Sequence, residues 1–341
     1  MKIKIIGAGS AGNHMAFALT TLKEVKKVII TDINQKALVR SKKDIFIKRY
    51  GKWNNKIRLE LENENLKTKQ IYDGIVIASP PEFHKDNIND NLFKSNNFLI
   101  EKPLCIPDKK HINFFEKVKK NYKSKRIYTG YNHRLFPSTV FLKKILKKEK
   151  INYCNVSFKE NIGGFLKAHN WMKSINESYL SKTEFGGGAL CEHSHALNLL
   201  QYLVSHKKIK ILSKKYQFND KKSHYHDLFF SAFLKLDKTI CEFEQNFKTS
   251  PIEKYIIVST KKKIIKLIYN YESSNDLIII NDFKKIKKYI FKKTRRDDFI
   301  YEAKFFINKI KNKTNSNILD IEQGLSTMKL ITKLLDGIKL S

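Results

Sequence analysis

The sequence predicts an α/β fold, with a doubly wound parallel sheet at the front of the chain and an α+β domain behind it. Three observations predict this. A glycine fingerprint follows a short apolar run at residues 3–6. Similar β-type runs recur through the first 130 residues, with helix-length segments between them. From about residue 150 the runs become closely spaced, and helix-like stretches follow. Strands alternating with helices imply parallel pairing, whereas strand runs followed by helices imply an α+β arrangement.

The first run, Ile3–Ile6, leads through Gly7-Ala8-Gly9-Ser10-Ala11-Gly12 into a helix-like stretch from Asn13 to about Val25. A strand that delivers G-x-G-x-x-G into a helix turns bare backbone N–H groups and a helix N-terminus toward a pyrophosphate. The three glycines serve a tight turn, close approach to the phosphate, and close packing of helix on strand. Glycine triplets also occur in ordinary turns, so the context decides. The second run, Lys27–Thr31, ends at Asp32, 20 residues beyond Gly12, where a ribose-binding carboxylate is expected.

Runs at Gly74–Ala78, Asn97–Ile100 and Arg126–Thr129 complete the predicted sheet. Ligands of such sheets bind beyond the carboxyl ends of the strands. Distinctive residues follow there: Pro80-Pro81 after the third run and Glu101-Lys102-Pro103 after the fourth. Proline keeps the preceding residue out of the helical region, so Lys102 is held extended at a strand end. It is a candidate donor to a substrate oxygen, or one more surface lysine.

In the second half, strands are expected at Ile151–Phe158, Lys214–Phe218, His226–Leu236, Thr239–Phe247, Lys254–Ser259, Ile264–Tyr269 and Asp276–Ile280. Helices are expected at Gly188–Leu203, and from Asp297 to about Lys339 with a break near Asn312–Asn317. Gly186-Gly187-Gly188 opens the first helix, allowing close backbone approach and exposing its N-terminus. Glu192 and His195 lie three apart and share a face. A carboxylate beside an imidazole suits general acid/base work, because histidine titrates near neutral pH. A purely structural histidine is the alternative.

At 341 residues the chain suits two domains. Lys+Arg number 67 against 33 Asp+Glu, a net charge of +34. The basic runs are short and dispersed, and no nucleic-acid motif accompanies them, so a lysine-rich solvated surface is expected rather than nucleic-acid binding. Cys105, Cys154, Cys191 and Cys241 form no C-x-x-C pair, which argues against a disulfide framework or a zinc site. No apolar run approaches the roughly 20 residues needed to span a bilayer. A strand at the very start leaves no room for a secretory leader, and a cytoplasmic protein with no bound metal is expected.

Taken together, several motifs resemble those of the Gfo/Idh/MocA oxidoreductases. They are the glycine fingerprint, Ala78-Ser79-Pro80-Pro81-Glu82-Phe83-His84, Glu101-Lys102-Pro103, Gly130-Tyr131-Asn132-His133-Arg134-Leu135-Phe136-Pro137 and the triple-glycine helix. The resemblance extends to Asp297-Asp298-Phe299, Phe306, Asp320 and Gly324. It implies a Rossmann dinucleotide-binding domain over 1–130. Over 131–341 it implies a substrate domain with a large, mostly antiparallel open sheet and C-terminal helices. It further implies an NAD(P)-dependent enzyme acting on a sugar or cyclitol. Gly7, Gly9, Ser10, Ala11, Gly12, Asp32, Ser79, Pro80, His84 and Glu101 would then face the cofactor.

One position departs from the common pattern. Position 191 is cysteine where an aspartate usually stands four residues before the histidine, and Glu192 precedes His195 by three. Glu192-His193-Ser194-His195 resembles a branch associated with bacterial surface polysaccharides, and the Trp171–Tyr179 region resembles that branch's loop. The implied roles are His195 as base, Lys102 as donor to the same oxygen and Glu192 as orienting acid. Asn132, Arg134, Trp171 and Tyr179 would contact substrate, with Arg134 suited to a carboxylate or phosphate. Asp32 favours NAD over NADP, since a carboxylate repels a 2′-phosphate. A homo-dimer or tetramer is expected. A non-catalytic sensor or scaffold with the same fold is the competing expectation, motivated by Cys191 and His193.

Overall fold

Isoleucine- and valine-rich runs with no polar alternation suit strands covered on both faces, as in a parallel sheet. In the computed structural model, which describes residues 1–169, 171–219, 224–272, 274–314 and 316–338, five such runs form strands. They are β1 (Lys2–Ile6), β2 (Lys27–Asp32), β4 (Gly74–Ile77), β5 (Asn97–Ile100) and β6 (Arg126–Thr129). The edge strand β3 (Ile57–Leu61), absent from the sequence expectations, joins them in the all-parallel order β3-β2-β1-β4-β5-β6. The order reverses between β1 and β4, and ligands of doubly wound sheets bind at such a point. The helices between strands are α1 (Ser10–Thr20), α2 (Gln35–Arg40), α3 (Ile47–Tyr50), α4 (Glu62–Lys67), α5 (His84–Asn91) and α6 (Lys109–Asn121).

The chain divides into two compact units, and the division is not contiguous. The first holds Met1–Asn132 together with Arg296–Met328; the second holds His133–Arg295 and the residues from Lys329 onward. This corrects the sequence expectation, which places everything beyond residue 130 in the second domain. In the structure the late helix α11 (Arg295–Asn312) lies almost wholly in the first unit. It buries Phe299, Ala303, Phe306, Ile307 and Ile310. A Cβ built on Gly74 at the head of β4 would meet Ile310 at 2.7 Å and Phe306 at 2.8 Å, so the bare glycine lets the helix lie close against the sheet.

The second unit carries an eight-stranded sheet. Its strands are β7 (Ile151–Lys159), β8 (Ile209–Phe218), β9 (Asp227–Leu236), β10 (Thr239–Asn246), β11 (Glu253–Thr260), β12 (Ile264–Tyr271), β13 (Asn275–Asn281) and β14 (Ile286–Phe291). The order is β14-β13-β12-β11-β7-β10-β9-β8, antiparallel except where β7 pairs β10. Alternate residues such as Cys154, Val156 and Phe158 are buried, as the period of two along a strand requires. On this unit α7 (Pro137–Leu146) packs on β12 and β13. The helix α9 (Ala189–Glu192) packs on β9 and β10, and α10 (His195–Leu203) packs on β7 and β10. The remaining helices are α8 (Ile162–Ala168) and α12 (Ile321–Leu335). The last helix is expected to run to about Lys339, which lies outside the described residues.

Candidate functional site

The first unit builds a cradle at the reversal of its strand order. Gly7 has φ +109°, and a Cβ there would strike the Ala78 carbonyl oxygen at 2.6 Å. Gly12 must also be bare, because its Cβ would lie 2.0 Å from the Gly7 oxygen. Gly9 differs. Nothing lies within 4 Å of a Cβ built there, so the loop opens onto free space at this residue. The loop is fixed from behind: Asn13 donates to the Ala8 and Gly9 carbonyls at 3.0 and 2.8 Å, and Ser41 Oγ donates to Asn13 Oδ1 at 2.9 Å.

The first turn of α1 has no side-chain cap and no acidic residue, so Ser10, Ala11 and Gly12 begin the helix at its positive end. Asp32 accepts the Ala8 N–H through Oδ2 and the Asn34 N–H through Oδ1, both at 2.9 Å. A carboxylate has about four acceptor positions, so capacity for ribose hydroxyls remains. An open glycine, an uncapped helix start and a strand-end carboxylate together fit a dinucleotide. Around Ser10 the structure adds residues that sequence reasoning missed. Arg49 Nη1 lies 2.8 Å from Ser10 Oγ and 3.1 Å from His14 Nε2, and Arg296 donates to the Arg49 carbonyl at 3.3 Å. No motif spacing marks Arg49; only the fold of α3 and α11 brings these cations to the loop.

The loop after β4 places Ser79 beside the cradle, half-exposed, with its Oγ accepting from Asn87 at 2.8 Å; Pro80 is exposed. His84 does not present its ring to a ligand. It is fully buried, with Nε2 2.8 Å from the Ser79 oxygen and Nδ1 3.1 Å from the Leu104 oxygen. Burial lowers its pKa. The ring ties the loop after β4 to the loop after β5. Glu101 and Lys102 are half-buried at the end of β5, and the Lys102–Pro103 peptide is cis. Asn132 is buried and donates to the Asp298 carbonyl of α11 at 3.4 Å.

Within the second unit, the expected single helix from Gly188 to Leu203 is broken at His193 and Ser194 into α9 and α10. Gln245 on β10 donates to the His193 carbonyl and holds the break. His193 is buried against Phe247, whereas His195 is half-exposed at the start of α10. Glu192, half-exposed, receives the Tyr179 hydroxyl at 3.4 Å. Trp171 packs edge-on to His169 at 5.1 Å. The His195 ring stands 4.3 Å from that of His133, which Phe136, Phe158 and Tyr269 enclose. Burial first, then the neighbouring His195, Lys254, Lys293 and Arg295, push His133 well below the ordinary histidine range, so it is neutral.

Two further findings concern the frame. Asp227, at the start of β9, accepts the Leu190 N–H at 2.7 Å and caps α9. Its Oδ1 would lie 1.9 Å from a Cβ on Gly188, whose φ is +86°, which accounts for the last glycine of the triplet. Arg134 is 1% exposed; it donates to Asn198 Oδ1 at 2.5 Å and to the Asn198 carbonyl at 2.9 Å, and stacks on Tyr202. It bolts the turn after β6 to α10 and cannot offer its guanidinium to a substrate, contrary to the sequence expectation.

Comparisons with known proteins agree with this geometry. Residues 1–133 match the profile of an oxidoreductase family with an NAD-binding Rossmann fold. Glucose-6-phosphate 3-dehydrogenase of Bacillus subtilis (strain 168) is 27% identical over 205 residues, 59% of this chain and 53% of that protein. The chain thus matches about half the length of that relative. Among solved structures, a 3-ketoreductase from Actinomadura kijaniata in complex with TDP-benzene and NADP superposes with TM-score 0.77 at 12% identity, over 98% of this chain and 96% of that one. Levoglucosan dehydrogenase in complex with NADH superposes with TM-score 0.76 at 13% identity, over 98% and 95%. At such identities the structures establish the shared fold. Among the described residues, no helix is long and apolar enough to cross a membrane.

Proposed function

We propose that the protein is an NAD(P)-dependent sugar dehydrogenase or reductase of the Gfo/Idh/MocA family, whose profile residues 1–133 match. The observation that carries the reading is the uncapped start of α1, with open space above Gly9 and Asp32 at the end of β2. Gly7, Gly9, Ser10, Ala11, Gly12, Asp32, Ser79, Pro80 and Glu101 line the cofactor side. When bound, the nicotinamide cofactor supplies the acceptor or donor of a hydride.

The chain's own residues handle the oxygen. His195 takes the proton of a sugar hydroxyl as the hydride leaves the same carbon, so that O–H and C–H bonds break and a C=O bond forms. The neutral His133 ring backs the His195 ring. Lys102 donates to the reacting oxygen and stabilises its negative charge. Glu192, oriented by Tyr179, steers His195 or binds a neighbouring hydroxyl, and Trp171 offers a flat apolar face to the sugar.

The substrate proposed is a sugar, sugar acid or nucleotide-activated sugar of surface-polysaccharide metabolism, which the Glu192-His193-Ser194-His195 motif supports. Carbon 3 is the proposed site, by analogy with glucose-6-phosphate 3-dehydrogenase. Asp32 favours NADH over NADPH. On the same reading the enzyme is a cytoplasmic homo-dimer or tetramer.

Fluorescence titration with NADH and NADPH tests the cofactor, and a sugar screen tests the chemistry. His195→Ala is expected to lose at least about a hundredfold in turnover while cofactor binding persists. Near-normal turnover in that variant removes His195 from the reaction. Tight cofactor binding with no turnover of any free or activated sugar favours the non-catalytic alternative.

A further inference from the structure

The helix α11 brings to the first unit a fully buried carboxyl group that the proposed chemistry does not use. Glu302 is 0% exposed, and neither of its carboxyl oxygens meets a hydrogen-bond donor. Its neighbour is a second carboxyl group. A Cβ built on Gly130, just after β6, would lie 3.0 Å from Glu101 Oε2 and 3.2 Å from Glu302 Oε1. Gly130 has no left-handed backbone to account for a glycine; the two carboxyl groups, together with the Glu101 Cα at 3.2 Å, crowd the space a side chain would take.

An ionised carboxylate in a dry pocket is stable only with donors or a positive partner, and Glu302 has neither. Among the described residues, the charged group that acts on it is Glu101, which is of the same sign. Burial first, and then Glu101, hold the Glu302 acid well above the ordinary carboxyl range.

We propose that Glu302 is a neutral carboxylic acid at physiological pH and the positioning residue for Glu101. Its O–H donates to the Glu101 carboxylate, so that one negative charge rather than two stands directly before Lys102. The proton on Glu302 stands independently of the functional reading; its value for presenting Lys102 rests on that reading.

Infrared spectroscopy of the full chain at about pH 8.5 tests this, because a protonated carboxyl has a carbonyl stretch separate from the carboxylate bands. Asp227, pushed up to about 7, is mostly ionised by then. The expected result is a carboxylic-acid band that shifts in heavy water and is lost in Glu302→Gln. Glu101→Ala is expected to move the band to the position of an acid without an acceptor; Glu101→Gln, which keeps an acceptor oxygen, is expected to move it less. No band in the parent, or an unchanged band in Glu302→Gln, overturns the proposal. A band indifferent to Glu101→Ala overturns the donation to Glu101. Thermal unfolding of each variant verifies that it is folded. Failure of NADH to bind the parent counts against the functional reading alone, and the infrared band still decides whether Glu302 carries the proton.

Discussion

Gly9 and Gly12 sit three residues apart at the start of α1, yet opposite demands keep them glycine. At Gly12 the obstacle is the protein itself, so Gly12→Ala is expected to lower the melting temperature by several degrees, equivalent to about 1–3 kcal/mol. At Gly9 the space is open, so Gly9→Ala is expected to leave stability within about 0.5 kcal/mol while weakening NADH binding at least about tenfold. Calorimetry and titration of the two variants separate the roles. Asp227 supplies a different residue-scale prediction. Its folded-state pKa, about 7, lies above the ordinary 3.8, so the native chain holds an extra proton between these values. Stability from this group is full below about pH 4 and is lost as pH rises through about 7. Asp227→Asn keeps an acceptor for Leu190 and is expected to flatten that decline, measured by urea midpoints from about pH 5 to 8. The glycines and Asp32 were legible because each follows a strand at a fixed spacing. Asp227, Glu302, Arg49 and His133 were not, since their neighbours lie far away in sequence and only burial gives them meaning.

Most of the strands that sequence pattern located are runs rich in apolar residues, such as β1, β2, β4 and β9. β3 and β14 escaped because each lies at a sheet edge and carries charges, Arg58 and Glu60 in one and Lys287 and Lys288 in the other. Lysines on an exposed edge discourage pairing with another chain, which serves solubility and hides the strand from pattern reading. The split of the triple-glycine helix was hidden for another reason: Gln245, on a distant strand, holds the His193 carbonyl at the break. Arg134 carries a prediction at this scale. Because the guanidinium joins a turn to α10 inside the unit, Arg134→Ala is expected to cost about 2–4 kcal/mol in unfolding free energy, leaving Asn198 groups unsatisfied. A substrate-binding role would instead leave stability nearly unchanged and raise KM, so denaturation and kinetics discriminate.

The whole molecule carries +34, with lysines spread over both units. Dispersed charge of that size predicts weak, sequence-independent adsorption on DNA at low salt that is released at about 0.15 M salt, where the Debye length is about 8 Å. Retention on DNA-cellulose across a salt gradient measures it; persistence well above that concentration would indicate a built nucleic-acid surface. The two-part organisation was legible in the change of texture near residue 150. The return of α11 was not, because an amphipathic helix does not declare which sheet it covers. That return has a consequence for the newborn chain. The last parallel strand, β6, leaves the ribosome about 180 residues before the end of α11, an interval of roughly 10–35 s at bacterial-like synthesis rates of about 5–20 residues per second. Throughout it the apolar surface around Gly74 waits uncovered and Gly130 lacks one of its two carboxyl neighbours, making the half-made first unit a natural client for chaperones until α11 has been made.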